Sequence, residues 1–271
     1  MGKMGDFGIQ PPISISDFND WYDAYASSFN NGDPQLEDAV RLKYEHTKRV
    51  CREMELLCDS ITLAFHHCKL ALICALLHDV ARFEQFRRYR TFSDARSINH
   101  AEAALAIIAE HHLFAGLDTP DAADILCAIR HHNAVEVPID LTTEATLLCR
   151  LLRDADKLDI YKIALDYYIN PDPQRRETVQ VGIPDGSAVT PEVCEQVMRR
   201  EIIPYERIRT VADFKMIQLG WVFDLNFPHS FRCVKERGYI DNLKGQLPST
   251  PQVLEAFDTV ERYLEEHSRI L

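Results

Sequence analysis

Apolar residues recur at helical spacing along most of the chain, and the places where that rhythm breaks divide it into segments. Asp33-Pro34 reads as a helix start, Asp capping and Pro in the first turn, and Leu42, His46, Val50, Met54 and Leu57 line one apolar face of that helix. In KLALICALLHDVARFEQFRRYRTFSDARSINH (69–100), Leu70, Ile73, Cys74, Leu77 and Ala81 mark a buried helix that ends with His78-Asp79. The next helix opens at His100, with Leu105, Ile108 and Ala109 as its stripe. Another starts at Thr119-Pro120, turns Ile125 and Ile129 to the core and ends at His131-His132-Asn133. The longest periodic stretch, TTEATLLCRLLRDADKLDIYKIALDYYI, is interrupted by Asp154, Asp156 and Asp159. Only at Arg175 to Thr190 does the pattern leave the helix: ETVQV, IPDGS and AVT predict a small two-stranded hairpin about a Pro-Asp-Gly turn. Beyond it, helices are expected at about 191–203, 206–226, 228–237 and 251–269, with breaks at Pro204, Pro228, Gly238 and Pro248.

This organisation predicts an all-α body in three parts. Residues 1–34 form an N-terminal segment that packs on the body through Phe18, Trp21, Tyr22, Tyr25 and Phe29; 35–170 form the core; and 171–271 form the hairpin and a helical C-terminal extension of the same body. Of the 271 residues 46% are hydrophobic and 27% charged, ordinary for a globular protein, and no apolar run reaches the roughly 20 residues of a membrane helix. The start, MGKMGDFGIQPPISISDF, lacks a basic segment followed by an apolar one and lacks the Ser or Thr of a myristoylation signal, so a cytoplasmic location without membrane attachment is expected. A net charge of −12 argues against nucleic acid as a partner and leaves small molecules. The eight cysteines are scattered without a CxxC pair and read as small buried hydrophobes of a reducing compartment.

The chemistry gathers at histidines. A buried helix that carries His78-Asp79 must compensate a carboxylate in the core, and a hydrogen-bonded cation or a metal does so. His46 lies on an apolar face, where a single histidine is ordinarily a hydrogen-bonded core residue; His100, His132 and Asp156, from other helices or helix ends, change that reading. Adjacent residues point about 100° apart on a helix, so His131 and His132 cannot serve one site equally. Asp154 and Asp159 are expected on a salt-bridged face with Arg150, Arg153 and Lys157, and Asp159 could instead orient a ligand histidine. His66-His67, His229 and His267 have no partners in the pattern, and His111-His112 read as helix C-terminal residues facing the dipole or solvent.

The motifs EHTKRV, LLHDVARF, NHAEAA, AIRHHN and DADKLD, in this order across about Leu36 to Ala164, resemble the HD-domain superfamily of metal-dependent phosphohydrolases. The flanking HDVARFEQFRRYRTFSDARSINHAE and GWVFDLNFPHSFRCVKERGYID look like a bacterial subgroup of it. The resemblance implies an HD-domain helical bundle with His46, His78, Asp79, His100, His132 and Asp156 around one or two ions of Fe, Mn, Co, Ni or Zn, Asp79 bridging. It also implies hydrolysis of a phosphomonoester or phosphoanhydride of a small, nucleotide-like molecule by a metal-activated water. Asp79 and Arg82 are the candidate catalytic residues, and Arg82, Arg130 and Lys157 the candidate substrate-binding ones. Arg82 lies four residues after His78, on the same face if the helix continues, where it would meet either phosphate oxygens or a surface carboxylate. The arginine-rich connection 83–99 is either a solvated basic loop or a phosphate-contacting wall. After His132 the chain has Asn-Ala-Val where cyclic-dinucleotide HD phosphodiesterases continue differently, and ADKL lacks the His-Asn-Met continuation of alarmone hydrolases. A diiron oxygenase, as in myo-inositol oxygenase, and a non-catalytic regulatory module are the alternatives.

Overall fold

Local capping starts the two helices that frame the protein. Ser14 accepts the Asp17 N–H while Asp17 accepts the Ser14 N–H, a capping box that opens α1 (Ile15–Ser27). Asp33 accepts the N–H groups of Gln35 and Leu36, and Pro34 occupies the first turn of α2 (Pro34–Ser60). The computed structural model describes residues 14–268, and among them every regular element is a helix. After α2 come α3 (Phe65–Leu77), α4 (Ala81–Tyr89), α5 (His100–Glu110), α6 (Thr119–His131) and α7 (Thr143–Ile169). The C-terminal part holds α8 (Arg176–Gln180), α9 (Pro191–Met198), α10 (Val211–Gly220), α11 (Pro228–Glu236), α12 (Tyr239–Lys244) and α13 (Pro251–Ser268).

Two apolar clusters share α7. The first runs from Phe18 to Ala155 and joins α1 to α6 with the first half of α7; the second runs from Leu158 to Leu264. The changeover falls at Asp156-Lys157, so the polar interruption in the longest helix lies at the seam between the two cores. Phe18, Trp21, Tyr22, Tyr25 and Phe29 are all buried, and Phe83 meets the rings of Tyr22, Tyr25 and Phe29 at 5.6–6.1 Å.

Four expectations are corrected. The hairpin does not form: 176–180 is helical, and Val181 and Gly182, both at positive φ, end that helix. The following segment lies along the start of α10, where the carbonyls of Pro184 and Gly186 accept the N–H groups of Val211 and Ala212. First-turn N–H groups have no partner within their own helix, and satisfying them outweighs strand pairing here. The helix expected from about 206 begins only at Val211, because Thr210 and Asp213 build a capping box there. The helix expected at about 191–203 stops at Met198, with Arg200 at positive φ just beyond it, whereas Gly238, at φ +64, breaks the helix where expected and separates α11 from α12. Finally, α3 and α4 are separate helices: His78 to Val80 form a turn in which Arg82 N–H bonds Asp79 O, so His78 and Arg82 do not share one uninterrupted helical face. The reading of the chain start as free of a secretory signal lies outside the described residues, and no helix among the described residues is long and apolar enough to cross a membrane.

Candidate metal centre

Where α3 ends, the turn presents His78 and Asp79 to α2, α5, α7 and the C-terminal end of α6. Four imidazoles stand in a row, His46, His78, His132 and His100, with ring centroids 5.5, 5.1 and 4.8 Å apart. All four are at most 4% exposed. Each spends its Nδ1 hydrogen on an oxygen outside the row: His46 on Asp159 Oδ2 (2.7 Å), His78 on the Ala75 carbonyl (2.8 Å), His132 on the Ile129 carbonyl (2.7 Å) and His100 on Asp94 Oδ2 (2.6 Å). Partners that only accept fix the tautomer, so every Nε2 is left to face inward, the arrangement typical of metal-ligating histidines.

The carboxylates complete the cluster. Asp156 Oδ1 lies 3.2 Å from His46 Nε2 and 3.6 Å from His78 Nε2. Asp79 reaches both ends of the row, Oδ2 at 3.4 Å from His46 Nε2 and 3.6 Å from His78 Nε2, Oδ1 at 3.5 Å from His100 Nε2. Two triplets, His46-His78-Asp156 and His78-Asp79-His132, have ligand atoms within 4.8 Å of one another. Nε2 of His46 and of His78 and Oδ1 of Asp156 are buried without a well-formed hydrogen bond, and Nε2 of His100 and of His132 face each other at 2.9 Å. Buried lone pairs so close together repel unless positive charge sits among them, so the residues present fit a divalent cation. The charge states agree. Burial and Lys43 pull the His46 imidazole down, yet the flanking Asp156, Asp159 and Asp79 outweigh both and hold it at about 10. Burial would raise Asp79, but Lys43, His78 and Arg82 hold it well below the carboxylate range; His46 and His78 do the same for Asp156. Burial and Arg82 lower His100, and burial, His100 and His78 lower His132 further, leaving both neutral.

Residues 44–161 match the family model of the HD domain. This stretch is an HD domain. No curated protein and no solved structure matches the chain significantly. The HD domain supplies all six residues of the cluster, and the C-terminal part supplies contacts to its back.

The remaining candidates differ in position. Arg82 faces the cluster, but most of its donors are spent within the protein: Nε on Asp79 Oδ1 (3.2 Å), Nη1 on Gln85 Oε1, the Phe92 carbonyl and Asp94 Oδ1 (2.8, 2.6 and 3.0 Å), and one hydrogen of Nη2 on His100 Nε2 (3.3 Å). Lys157 turns away to Asp224 Oδ2 at 2.6 Å. Arg130 lies outside the cluster, exposed on α6 and paired with Glu102 at 3.1 Å. In the connection after α4, Arg90 pairs with Asp33 and Arg96 with Glu177, so both are engaged by surface carboxylates.

Three aspartates of α7 separate by face. Asp156 joins the cluster. Asp159 accepts His46 Nδ1 and the Arg49 guanidinium, so it holds the orientation of the His46 ring, with Arg49 rather than Arg150, Arg153 or Lys157 as its ion-pair partner. Asp154 makes no such salt bridge either: it takes N–H and Nδ2 of Asn226, N–H of Phe227 and Oγ of Ser230 at the start of α11. Sequence reasoning missed Lys43 and Asp94. Lys43 Nζ sits 2.7 Å from Asp79 Oδ2 and 5.3 Å from the Phe92 ring; its signal was a cation one helical turn before His46. Asp94 belongs to an irregular connection and carries no periodic signal. His229 also gained a partner, Cys233 Sγ at 3.3 Å beside Glu53, but Arg237 already neutralises Glu53 at 2.8 and 3.0 Å.

Proposed function

We propose that the chain is a metal-dependent phosphohydrolase that cleaves a phosphomonoester or phosphoanhydride of a small, nucleotide-like molecule with an activated water. The observation that carries this reading is the row of four imidazoles, every Nδ1 committed and every Nε2 turned with Asp79 and Asp156 into one buried space. Imidazole and carboxylate donors suit Fe, Mn, Co, Ni or Zn, and one or two such ions, held by His46, His78, Asp79, His100, His132 and Asp156, would supply Lewis acidity and a more acidic bound water.

The protein's own groups do the rest. Asp79, whose two oxygens face opposite ends of the row, serves both ends. Asp159, Asp94 and the carbonyls of Ala75 and Ile129 hold the rings in orientation. Lys43 has one carboxylate partner and two further N–H donors, and it offers these to anionic phosphate oxygens. Arg82 keeps Asp79, Asp94 and His100 in register, and its charge stabilises the anionic transition state from behind that network. The chain's net charge of −12 favours a small phosphorylated substrate over nucleic acid.

The test is phosphate release from a panel of sugar phosphates and nucleoside mono-, di- and triphosphates by protein loaded with Mn²⁺ or Co²⁺. Turnover that EDTA abolishes and metal restores is expected. Oxygen consumption by the Fe²⁺-loaded protein with no phosphate release would overturn the reading in favour of an oxygenase.

A further inference from the structure

The C-terminal part lies beyond residues 44–161 and contributes no residue to the cluster, yet it holds the cluster from behind. His132 caps the C-terminal end of α6, where the last carbonyls have no partner within the helix. Arg153, 4% exposed, takes them: its Nη1 donates to the carbonyls of His131 (3.1 Å), His132 (3.2 Å) and Ala134 (2.6 Å). The ring of His132 is tied to the same turn through Ile129 O, so the position of Nε2 depends on where that turn is held. Arg153 is in turn held by Asp224, whose Oδ2 receives Nε at 3.1 Å and Nη2 at 2.7 Å and also receives Lys157 Nζ at 2.6 Å. Asp224 follows α10 in the second core, and it is the acidic partner that both buried cations use.

We infer that Asp224 is a positioning residue for His132: it fixes Arg153, which fixes the turn that aims the His132 imidazole, and by this route the C-terminal part sets the affinity of the ion that His132 would hold. The inference rests on the proposed metal centre. Loss of a group that orients a ligand histidine weakens metal affinity by roughly 10- to 100-fold, and that is the expected size of the effect.

Asp224→Asn keeps the size and one acceptor oxygen while removing the charge, whereas Asp224→Ala would strand two buried cations and endanger folding. The control is Ser230→Ala, which breaks the hydrogen bond from α11 to Asp154 Oδ2 (2.6 Å) without touching the His132 turn. Bound Mn²⁺ or Co²⁺ per chain is measured against free metal for wild type, Asp224→Asn and Ser230→Ala, and the His132 ring nitrogens are followed by ¹⁵N NMR in EDTA-treated protein. Expected is a roughly 10-fold or larger weakening of one of two binding steps, with a shifted His132 signal, in Asp224→Asn alone. Unchanged binding steps and an unchanged His132 signal, or equal effects of Ser230→Ala, would overturn the positioning role and leave Asp224 as ordinary cement between the two cores. If wild type takes up fewer than two ions, the two-ion reading has failed, and the NMR signal alone decides the role of Asp224.

Discussion

The two ends of the imidazole row ask for a cation for opposite reasons. At one end His46 faces three carboxylates and stays protonated up to about 10, so the site fills itself with a proton. At the other end His100 and His132 are kept neutral chiefly by burial, with Arg82 adding to it at His100, and their Nε2 atoms confront each other at 2.9 Å. One end has surplus negative charge and the other surplus lone pairs. Asp79, with one oxygen toward each, is what makes them a single centre.

The sharpest way to break the comparison is to remove what joins the ends. Asp79→Ala should lose bound metal and phosphate release together, since it deletes a ligand oxygen from both ends and leaves Lys43 and Arg82 without their shared partner. Retention of full metal content by this variant would show that the two ends bind ions independently of Asp79. Next in size, His46→Ala and His132→Ala should separate the ends. Each is expected to weaken its own ion by more than about 100-fold, above the loss seen for orienting partners, and to spare the other by comparison. Calorimetric titration with Mn²⁺ reads both steps, and equal damage to both would mean one indivisible site.

A smaller effect arises from the proton at His46. An unfolded histidine titrates near 6.5, and in the folded chain His46 does so at about 10. Because the folded value is the higher, its contribution to stability is fully present below about 6.5 and is lost as pH rises through about 10. EDTA-treated protein should therefore show a falling Tm across that window, while metal-loaded protein, in which an ion replaces the proton, should show a flatter profile. Parallel profiles would place the metal elsewhere. Smallest of all, Arg130→Ala should leave phosphate release and metal content unchanged and alter stability by no more than about 0.5 kcal/mol, as for an exposed pair. A tenfold rise in KM would instead put Arg130 in contact with substrate.

Most of the helices were determined by the sequence itself, because periodicity and capping are local: a residue's face is set by its spacing, and a helix starts where Asp33 or Asn99 can take orphan N–H groups. The expected grouping of His46, His78, Asp79, His100, His132 and Asp156 came instead from the ordered motifs that resemble a known family. What only the tertiary structure decided is where groups separated by many residues come together. Asp154, Asp156 and Asp159 share one helix, yet they serve the start of α11, the candidate metal centre and the back of His46. At about 100° per residue each faces a different neighbour, and which neighbour stands there depends on chain up to 113 residues away. The failed hairpin has the same cause, since the start of α10 captured carbonyls that the local pattern assigned to a strand. Lys43 became part of the site only when α2 was laid against the turn after α3, for a lone cation on an amphipathic helix carries no mark of the carboxylate it will meet.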